Sequence, residues 1–211
     1  MIGLFITFEG GEGAGKTTVL QEIYNRLQQE GKKVVMTREP GGSVIAEKIR
    51  DIILDPTHTE MDSRTEALLY AAARRQHLVE KIVPSLQEGY IILCDRFIDS
   101  SLVYQGVARK IGVDEVLKIN LFATEGLMPT KTLFFDIEPE EGLARIAAHK
   151  NREYNRLDRE TLEFHHMVRN AYHELEKRDT DRIHMIDASQ TLEEVIDKTW
   201  NYVSTVTNKA Q

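Results

Sequence analysis

The fold of this protein is decided by one stretch near its N-terminus, which reads Leu4-Phe5-Ile6-Thr7-Phe8-Glu9-Gly10-Gly11-Glu12-Gly13-Ala14-Gly15-Lys16-Thr17-Thr18. The apolar run at residues 4–8 predicts a buried strand, and residues 17–29 have the pattern of a helix. Between them, residues 10–17 fit the pattern G-x-x-x-x-G-K-[ST]. A glycine loop in this strand–helix context indicates a site for the phosphates of a nucleoside triphosphate.

Each residue type in this loop has a physical task. Glycines allow the backbone to curl so that successive N–H groups face phosphate oxygens, and the following helix adds the positive end of its dipole. Lys16 supplies a mobile positive charge for the β- and γ-phosphates, and the Thr17 hydroxyl is a candidate Mg²⁺ ligand. The alternative is a glycine-rich turn that arose by chance.

The rest of the chain alternates short apolar runs with helical patterns. Strands are predicted at residues 33–37, 90–94, 132–137 and 182–186, with helices between them. Pro139 suits the first turn of a helix, and Thr191 with Glu194 forms a possible capping box. This order predicts an α/β fold with a five-stranded parallel sheet between two layers of helices, in one domain over residues 1–211. Sites in such sheets form at the carboxyl ends of the strands.

Composition excludes several classes of protein. The formal net charge is −7, which argues against a nucleic-acid-binding surface. Cys94 is the only cysteine, so no internal disulfide can form. No apolar stretch approaches the roughly 20 residues that a membrane span needs, and the N-terminus lacks the basic region of a signal peptide. We therefore expect a cytoplasmic protein without a membrane partner.

A second phosphate site is indicated by arginines that follow the predicted strands. Asp95 and Arg96 end the third strand, where a carboxylate organises Mg²⁺ and a guanidinium fork suits a monophosphate on the acceptor. Arg38 ends the second strand and Arg50 follows on the next helix, so three arginines can converge on one phosphate. The alternatives are a structural Asp95–Arg96 ion pair and solvated surface charges.

Two helical segments carry groups that suit a nucleobase and its sugar. Tyr70 and Arg74 are four residues apart and share a helix face, although a core tyrosine beside an arginine gives the same spacing. Ser100 with Tyr104, and Ser101 with Gln105, form a similar row within the stretch Ser100-Ser101-Leu102-Val103-Tyr104-Gln105. The segment at residues 62–87 is predicted to be helical. Its residues 67–73 are apolar on all sides, which indicates burial by the sheet and by a partner subunit.

These motifs together resemble those of bacterial thymidylate kinase over nearly the whole chain. The matching segments are Phe8-Glu9-Gly10…Gly15-Lys16-Thr17-Thr18, Thr37-Arg38-Glu39-Pro40-Gly41-Gly42, Asp95-Arg96…Ser100-Ser101-Leu102-Val103-Tyr104-Gln105-Gly106 and Arg156-Leu157-Asp158. Two positions differ from the family's frequent residues: Tyr70 stands where phenylalanine is common, and Phe97 where tyrosine or histidine is common.

The resemblance implies ATP-dependent phosphorylation of deoxythymidine monophosphate (dTMP) to the diphosphate, with Mg²⁺ held by Thr17 and Asp95. It assigns ATP to the loop, at Gly10, Gly11, Glu12, Gly13, Ala14, Gly15, Lys16, Thr17 and Thr18. By position, adenine is expected near Arg145 and the turn Asp187-Ala188-Ser189 after the fifth strand. It assigns the acceptor phosphate to Arg38, Arg50 and Arg96. It assigns thymine to Tyr70, Arg74, Ser101 and Gln105, with Ser100 beside them. It assigns the sugar to Tyr104 and Glu12. Apart from the resemblance, the apolar surface of the helix at residues 67–73 predicts a homodimer.

The resemblance further implies a lid at about residues 148–160. The phosphate loop has no arginine, so charge on the moving phosphoryl group would be met by Arg152 or Arg156 from this cation-rich segment. Lys16, Asp95 and Arg96 complete the expected catalytic set. A solvated charge run is the alternative for the lid. For the whole chain the alternatives are a related nucleoside or nucleoside monophosphate kinase, and a non-catalytic triphosphate-binding protein with slow ATPase activity.

Overall fold

Five parallel strands form the centre of the molecule in a computed structural model that describes residues 3–148 and 156–209. They are β1 Leu4–Gly10, β2 Val34–Arg38, β3 Ile91–Asp95, β4 Lys131–Asp136 and β5 Ile183–Asp187. Their order across the sheet is β2-β3-β1-β4-β5. All five predicted strands are confirmed, with ends that shift by one or two residues.

Helices connect the strands on both faces of the sheet. They are α1 Lys16–Gln29, α2 Val44–Leu54, α3 Ser63–His77, α4 Val83–Gln87, α5 Ile98–Ser101, α6 Val113–Thr124, α7 Pro139–Ala148, α8 Leu162–Arg178 and α9 Leu192–Lys209. A π-helical turn, Leu78–Ile82, joins α3 to α4, and a second, Leu102–Ala108, continues α5. The helix predicted over residues 62–87 is therefore confirmed as one continuous helical run.

The predicted helix starts are also confirmed. Pro139 is the first residue of α7, where its missing N–H costs nothing. Before α9, the Thr191 N–H donates to Glu194 Oε2 at 3.0 Å, and the Glu194 N–H donates to Thr191 Oγ1 at 3.4 Å. This reciprocal pair is a capping box.

Both faces of the sheet are covered, which explains why its strands read as unbroken apolar runs. Leu4, Ile6 and Phe8 of β1 pack with residues of α1 and α9 on one face. Phe5 and Ile92 pack on the opposite face with the helical run that ends in α4 and with α5. Within the described ranges, none of the helices has the length and apolar character of a membrane span.

The register of the sheet brings the predicted site residues to one edge. Asp95 at the end of β3 lies level with Phe8 of β1 and with Arg38 of β2. The chain leaves β1 two residues after Phe8 and enters the glycine loop. Because all strands run in the same direction, the loop and the polar ends of β2 and β3 meet at the carboxyl edge of the sheet.

Candidate active site

The glycine loop needs backbone conformations that other residues rarely adopt. Gly13 and Gly15 have φ angles of 73° and 78°, in the left-handed region. Gly10, with φ 139°, also lies close to β4, since a Cβ atom there would stand 2.5 Å from the Phe135 carbonyl oxygen. Gly15 directly precedes α1, so the loop delivers its N–H groups to a helix N-terminus.

Lys16 is buried in this loop and folds back over it. Its Nζ donates to the carbonyl oxygens of Gly10, at 3.2 Å, and Gly11, at 2.8 Å. Burial, assisted by the nearby Arg96 charge, lowers the pKa of Lys16 to about 8. A bound triphosphate would give this ammonium group a stronger partner than two carbonyl groups.

The two predicted metal ligands meet. Thr17 Oγ1 donates to Asp95 Oδ2 at 2.5 Å across the start of α1 and the end of β3. A hydroxyl oxygen and a carboxylate are the hard oxygen ligands that Mg²⁺ prefers, and Mg²⁺ is usually held by one or two carboxylates together with phosphate oxygens. The donor set therefore fits a Mg²⁺ ion that accompanies a nucleotide.

Two cavities adjoin the loop, and both are lined by Glu12, Lys16 and Thr17. The larger, of about 730 Å³, contains every residue expected to bind the acceptor: Glu12, Arg38, Arg50, Tyr70, Arg74, Arg96, Ser100, Ser101, Tyr104 and Gln105. The smaller, of about 640 Å³, is lined by the loop from Glu12 to Thr18 and by Arg145. The structure thus provides two compartments that share one phosphate loop.

Arg96 joins the loop to the larger cavity. Its backbone has φ 68°, an uncommon conformation outside glycine. The guanidinium group donates to the Gly10 carbonyl oxygen at 2.9 Å and to Glu12 Oε1 at 2.7 Å, and it lies 5.2 Å from the centre of the Tyr104 ring. Arg96 is therefore anchored at the boundary between the two compartments.

The other two predicted phosphate arginines line the same cavity and have protein partners. Arg38 Nη2 pairs with Glu47 Oε2 at 3.0 Å, and Arg50 Nη1 donates to the Pro40 carbonyl oxygen at 3.0 Å. The Arg38 side chain is about half exposed.

Arg74 is buried and lines the larger cavity. A network of contacts that sequence reasoning missed holds it in place. Its Nε donates to Glu39 Oε2 at 2.7 Å, Nη1 to Ser101 Oγ at 3.1 Å and Nη2 to the Phe97 carbonyl oxygen at 2.9 Å. Glu39 Oε1 also contacts His77 Nδ1 at 2.9 Å. The predicted base-reading group is thus fixed in place before any ligand binds.

A second buried carboxylate, Glu9, is linked to Arg96 through Ser100, whose Oγ also accepts from Arg96 Nη1 at 3.2 Å. It accepts hydrogen bonds from the Phe97 N–H at 2.7 Å, Ser100 Oγ at 2.5 Å and Tyr172 OH at 2.9 Å. Burial, assisted by the Asp99 charge, raises the pKa of Glu9 above its usual range. The signal that could have found it is a charged residue inside an otherwise apolar strand, one residue before the loop.

On the second π-helical turn, the residues predicted to contact the sugar and the base each donate to a different carboxylate. Tyr104 OH donates to Glu12 Oε1 at 3.2 Å, and Gln105 Nε2 donates to Glu66 Oε1 at 2.8 Å. Glu66 was also missed by sequence reasoning, although it precedes Tyr70 by four residues and so lies on the same face of α3.

The structure describes the expected adenine end of the site, but only part of the expected lid. Arg145 Nη1 donates to the Ala188 carbonyl oxygen at 2.9 Å, so the two predicted neighbours of adenine do lie together. Arg156 is buried, where it donates to the Ile53 carbonyl oxygen at 3.0 Å and pairs with Glu66. Arg152 and the rest of residues 149–155 lie outside the described residues. The catalytic roles of both arginines stay predictions.

The fold and the two compartments define a phosphotransferase with a P-loop kinase fold. The family model described as thymidylate kinase matches residues 8–199. The chain belongs to the thymidylate kinase family.

Relatives and a solved structure agree with this membership. The chain is 59% identical to the thymidylate kinase of Oceanobacillus iheyensis, over 100% of this chain and 94% of that protein. It is 58% identical to that of Bacillus velezensis, over 100% of both. The crystal structure of thymidylate kinase from Ehrlichia chaffeensis matches with a TM-score of 0.78 at 29% identity, over 97% of this chain and 99% of that one.

Proposed function

We propose that this protein transfers the γ-phosphoryl group of ATP to dTMP, giving ADP and dTDP by direct in-line transfer. The observation that carries the proposal is that two cavities of nucleotide size share Glu12, Lys16 and Thr17 at the glycine loop. Phosphoryl transfer between two bound nucleotides requires this adjacency, because the donor and acceptor oxygens must lie on opposite sides of one phosphorus atom.

In this proposal ATP occupies the smaller cavity, with its phosphates on residues 10–18 and adenine near Arg145 and Ala188. The loop N–H groups and Lys16 bind the β- and γ-phosphates. Arg96, anchored on Gly10 and Glu12, stands where it can contact the acceptor phosphate and the group in transit. Arg38 and Arg50 bind the acceptor phosphate from the other wall of the larger cavity.

We assign Mg²⁺ to Thr17 and Asp95, whose oxygens lie 2.5 Å apart. When bound, the ion would neutralise charge on the phosphate oxygens during transfer. The Asp95 carboxylate lies beside the loop, and the Thr17 hydroxyl orients it by donating a hydrogen bond.

The base and sugar of dTMP fill the remainder of the larger cavity. Tyr70 offers a ring face for stacking, and Arg74 offers a donor to an exocyclic oxygen. Of the five N–H groups of Arg74, four are used by Glu39, Ser101, Asn120 and Phe97 in the described part of the chain. One N–H on Nη2 is left for a ligand. Tyr104 and Glu12, which are hydrogen-bonded to each other, border the sugar.

We also propose that two copies of this chain pair through α3 and α6. Leu68 is 56% exposed and Phe122 is 88% exposed, and Val79 and Leu121 are exposed nearby. Arg75, seven residues after Leu68 and so on the same helix face, contacts the Ala123 carbonyl oxygen beside Phe122. Exposed apolar side chains on two neighbouring helices suit an isologous interface. We further propose a cytoplasmic location, where ATP and dTMP are available.

An acceptor panel tests the proposed function. ADP release would be followed with dTMP, dUMP, dCMP, dAMP, thymidine or no acceptor. We expect dTMP to have the highest kcat/KM, with thymidine near the no-acceptor rate because it cannot contact the three arginines. A rate that does not depend on the acceptor would indicate an ATPase instead and would overturn the proposal.

A further inference from the structure

The side-chain amide of Gln105 is held in one orientation. It is buried, lines the larger cavity, and donates from Nε2 to Glu66 Oε1 at 2.8 Å. An ionised carboxylate only accepts hydrogen bonds, so only the nitrogen of the amide can face it. The amide oxygen therefore points away from Glu66, and no described group of residues 3–148, 156–157 and 160–209 donates to it.

Glu66 is itself fixed as an acceptor. Its side chain is 1% exposed, and it pairs with Arg109 Nε at 3.3 Å and with Arg156. Two guanidinium partners compensate the buried negative charge. Tyr70 and Arg74 lie four residues apart on α3 and line the larger cavity. Glu66 precedes Tyr70 by one turn on the same helix face, where it contacts Gln105 behind the cavity lining.

A fixed acceptor in this cavity distinguishes pyrimidines by their N3 atom. Thymine and uracil carry an N3–H donor beside the O4 acceptor, whereas cytosine carries an N3 acceptor beside an amine donor. The Gln105 oxygen can accept the N3–H of thymine but meets a lone pair on cytosine. Arg74 and Ser101, on the same cavity, supply the donor that O4 needs.

We propose that Glu66 is a specificity-determining positioning residue: by accepting the Gln105 amide it presents the amide oxygen to the base and so selects acceptors with an imino N–H. Glu66 does not contact the base itself. The inference rests on the proposed function, because it places a pyrimidine monophosphate in the larger cavity.

The test compares dTMP with 5-methyl-dCMP, which has the same sugar, phosphate and methyl group and differs only at N3 and C4. In Glu66→Gln the new amide can donate to Gln105, which releases the Gln105 nitrogen to turn toward the base. We expect the ratio of kcat/KM for dTMP to that for 5-methyl-dCMP to fall about tenfold or more, as expected when a hydrogen-bond direction reverses in a buried site.

Arg109→Gln is the matched control, since it removes another partner of the same Glu66 oxygen and leaves the Gln105 contact in place. In this control, the ratio of kcat/KM for dTMP to that for 5-methyl-dCMP should stay at the wild-type value. The double variant Glu66→Gln with Gln105→Glu places an acceptor-only group at the base again, with an amide behind it. It should return the ratio to within about threefold of wild type, as coupled neighbouring residues do.

The possible results are separable. Failure of the wild-type protein to phosphorylate dTMP would contradict the proposed function, whatever the variants do. An unchanged ratio in Glu66→Gln, with both acceptors slowed equally, would mean that Glu66 acts only on the fold or the lid and would overturn the inference. An equal change in Arg109→Gln would overturn it as well.

If Glu66→Gln does not fold, the wild-type protein still decides the question. The Gln105 side-chain N–H protons should exchange slowly with solvent in the ligand-free protein, as NMR would show, because they are buried against Glu66. They should stay protected when dTMP binds. Rapid exchange in the ligand-free protein would show that the amide is not fixed and would overturn the inference.

Discussion

Lys16 links the chemistry of the loop to pH. Burial lowers its pKa to about 8, whereas bound phosphates would favour the charged form and raise that pKa again. Below pH 8 the ammonium group is already charged in the free protein, so ATP binding moves no proton there. Above pH 8 the free protein has lost this proton, and ATP binding must take one up.

We therefore expect ATP affinity to fall as pH rises above 8, with uptake of about one proton per ATP at pH 9. Calorimetric titration in two buffers of different ionisation enthalpy measures this uptake. Lys16→Arg is the control, because a guanidinium group does not titrate in this range. Wild-type binding without proton uptake at pH 9 would show that Lys16 remains charged in the free protein.

Glu39 provides a stability prediction. It is buried and pairs with the buried Arg74 at 2.7 Å, so Glu39→Gln leaves a guanidinium charge without its counter-ion. We expect the free energy of unfolding to fall by about 3–5 kcal/mol. The matched control is Glu174→Gln, which breaks the surface pair with Lys177 on α8 and should cost at most about 1 kcal/mol. Urea unfolding at one protein concentration compares them, and equal losses would refute the argument.

At the scale of elements, the lid segment carries Arg156, which is expected to contact the moving phosphoryl group. This residue is held by Glu66 and Ile53 at the end of the segment nearest α8. If it leaves Glu66 to meet the moving phosphoryl group, Arg156→Ala should lower kcat by about a thousandfold, as loss of a catalytic arginine does. The KM for dTMP should change far less.

Steady-state kinetics of Arg156→Ala, Arg152→Ala and the exposed control Arg178→Ala make this comparison. A loss of thermal stability without a loss of kcat would assign Arg156 to the fold alone. A rise in KM alone would assign it to ground-state binding of the acceptor.

Elements with local sequence signals could be predicted, and contacts between distant elements could not. The strands were predictable because both faces of the sheet are covered, and helical spacing correctly placed Tyr70 with Arg74 and Ser101 with Gln105 on one cavity. The contact of Arg74 with Glu39 spans 35 residues and that of Arg156 with Glu66 spans 90. Such pairs depend on how helices pack on the sheet, which no local pattern specifies.

At the scale of the whole molecule, the exposed apolar face on α3 and α6 predicts self-association. Leu68→Glu combined with Phe122→Glu places two like charges on this face in each copy, and we expect the variant to sediment as a monomer. Met185→Glu is the control, since Met185 is 44% exposed on β5, outside this face. Sedimentation velocity at micromolar concentration would reveal the difference. A wild-type protein that is monomeric there would contradict the proposed pairing.

At this scale, the proposed function depends on one loop that is shared by two cavities. A loop with a single cavity would only bind or hydrolyse a triphosphate. The direct measurement is ³¹P NMR of a mixture of ATP, Mg²⁺, dTMP and purified protein. We predict that ADP and dTDP appear in equal amounts without inorganic phosphate, and that Lys16→Ala abolishes both signals. ADP and inorganic phosphate accumulating beside unchanged dTMP would contradict the account.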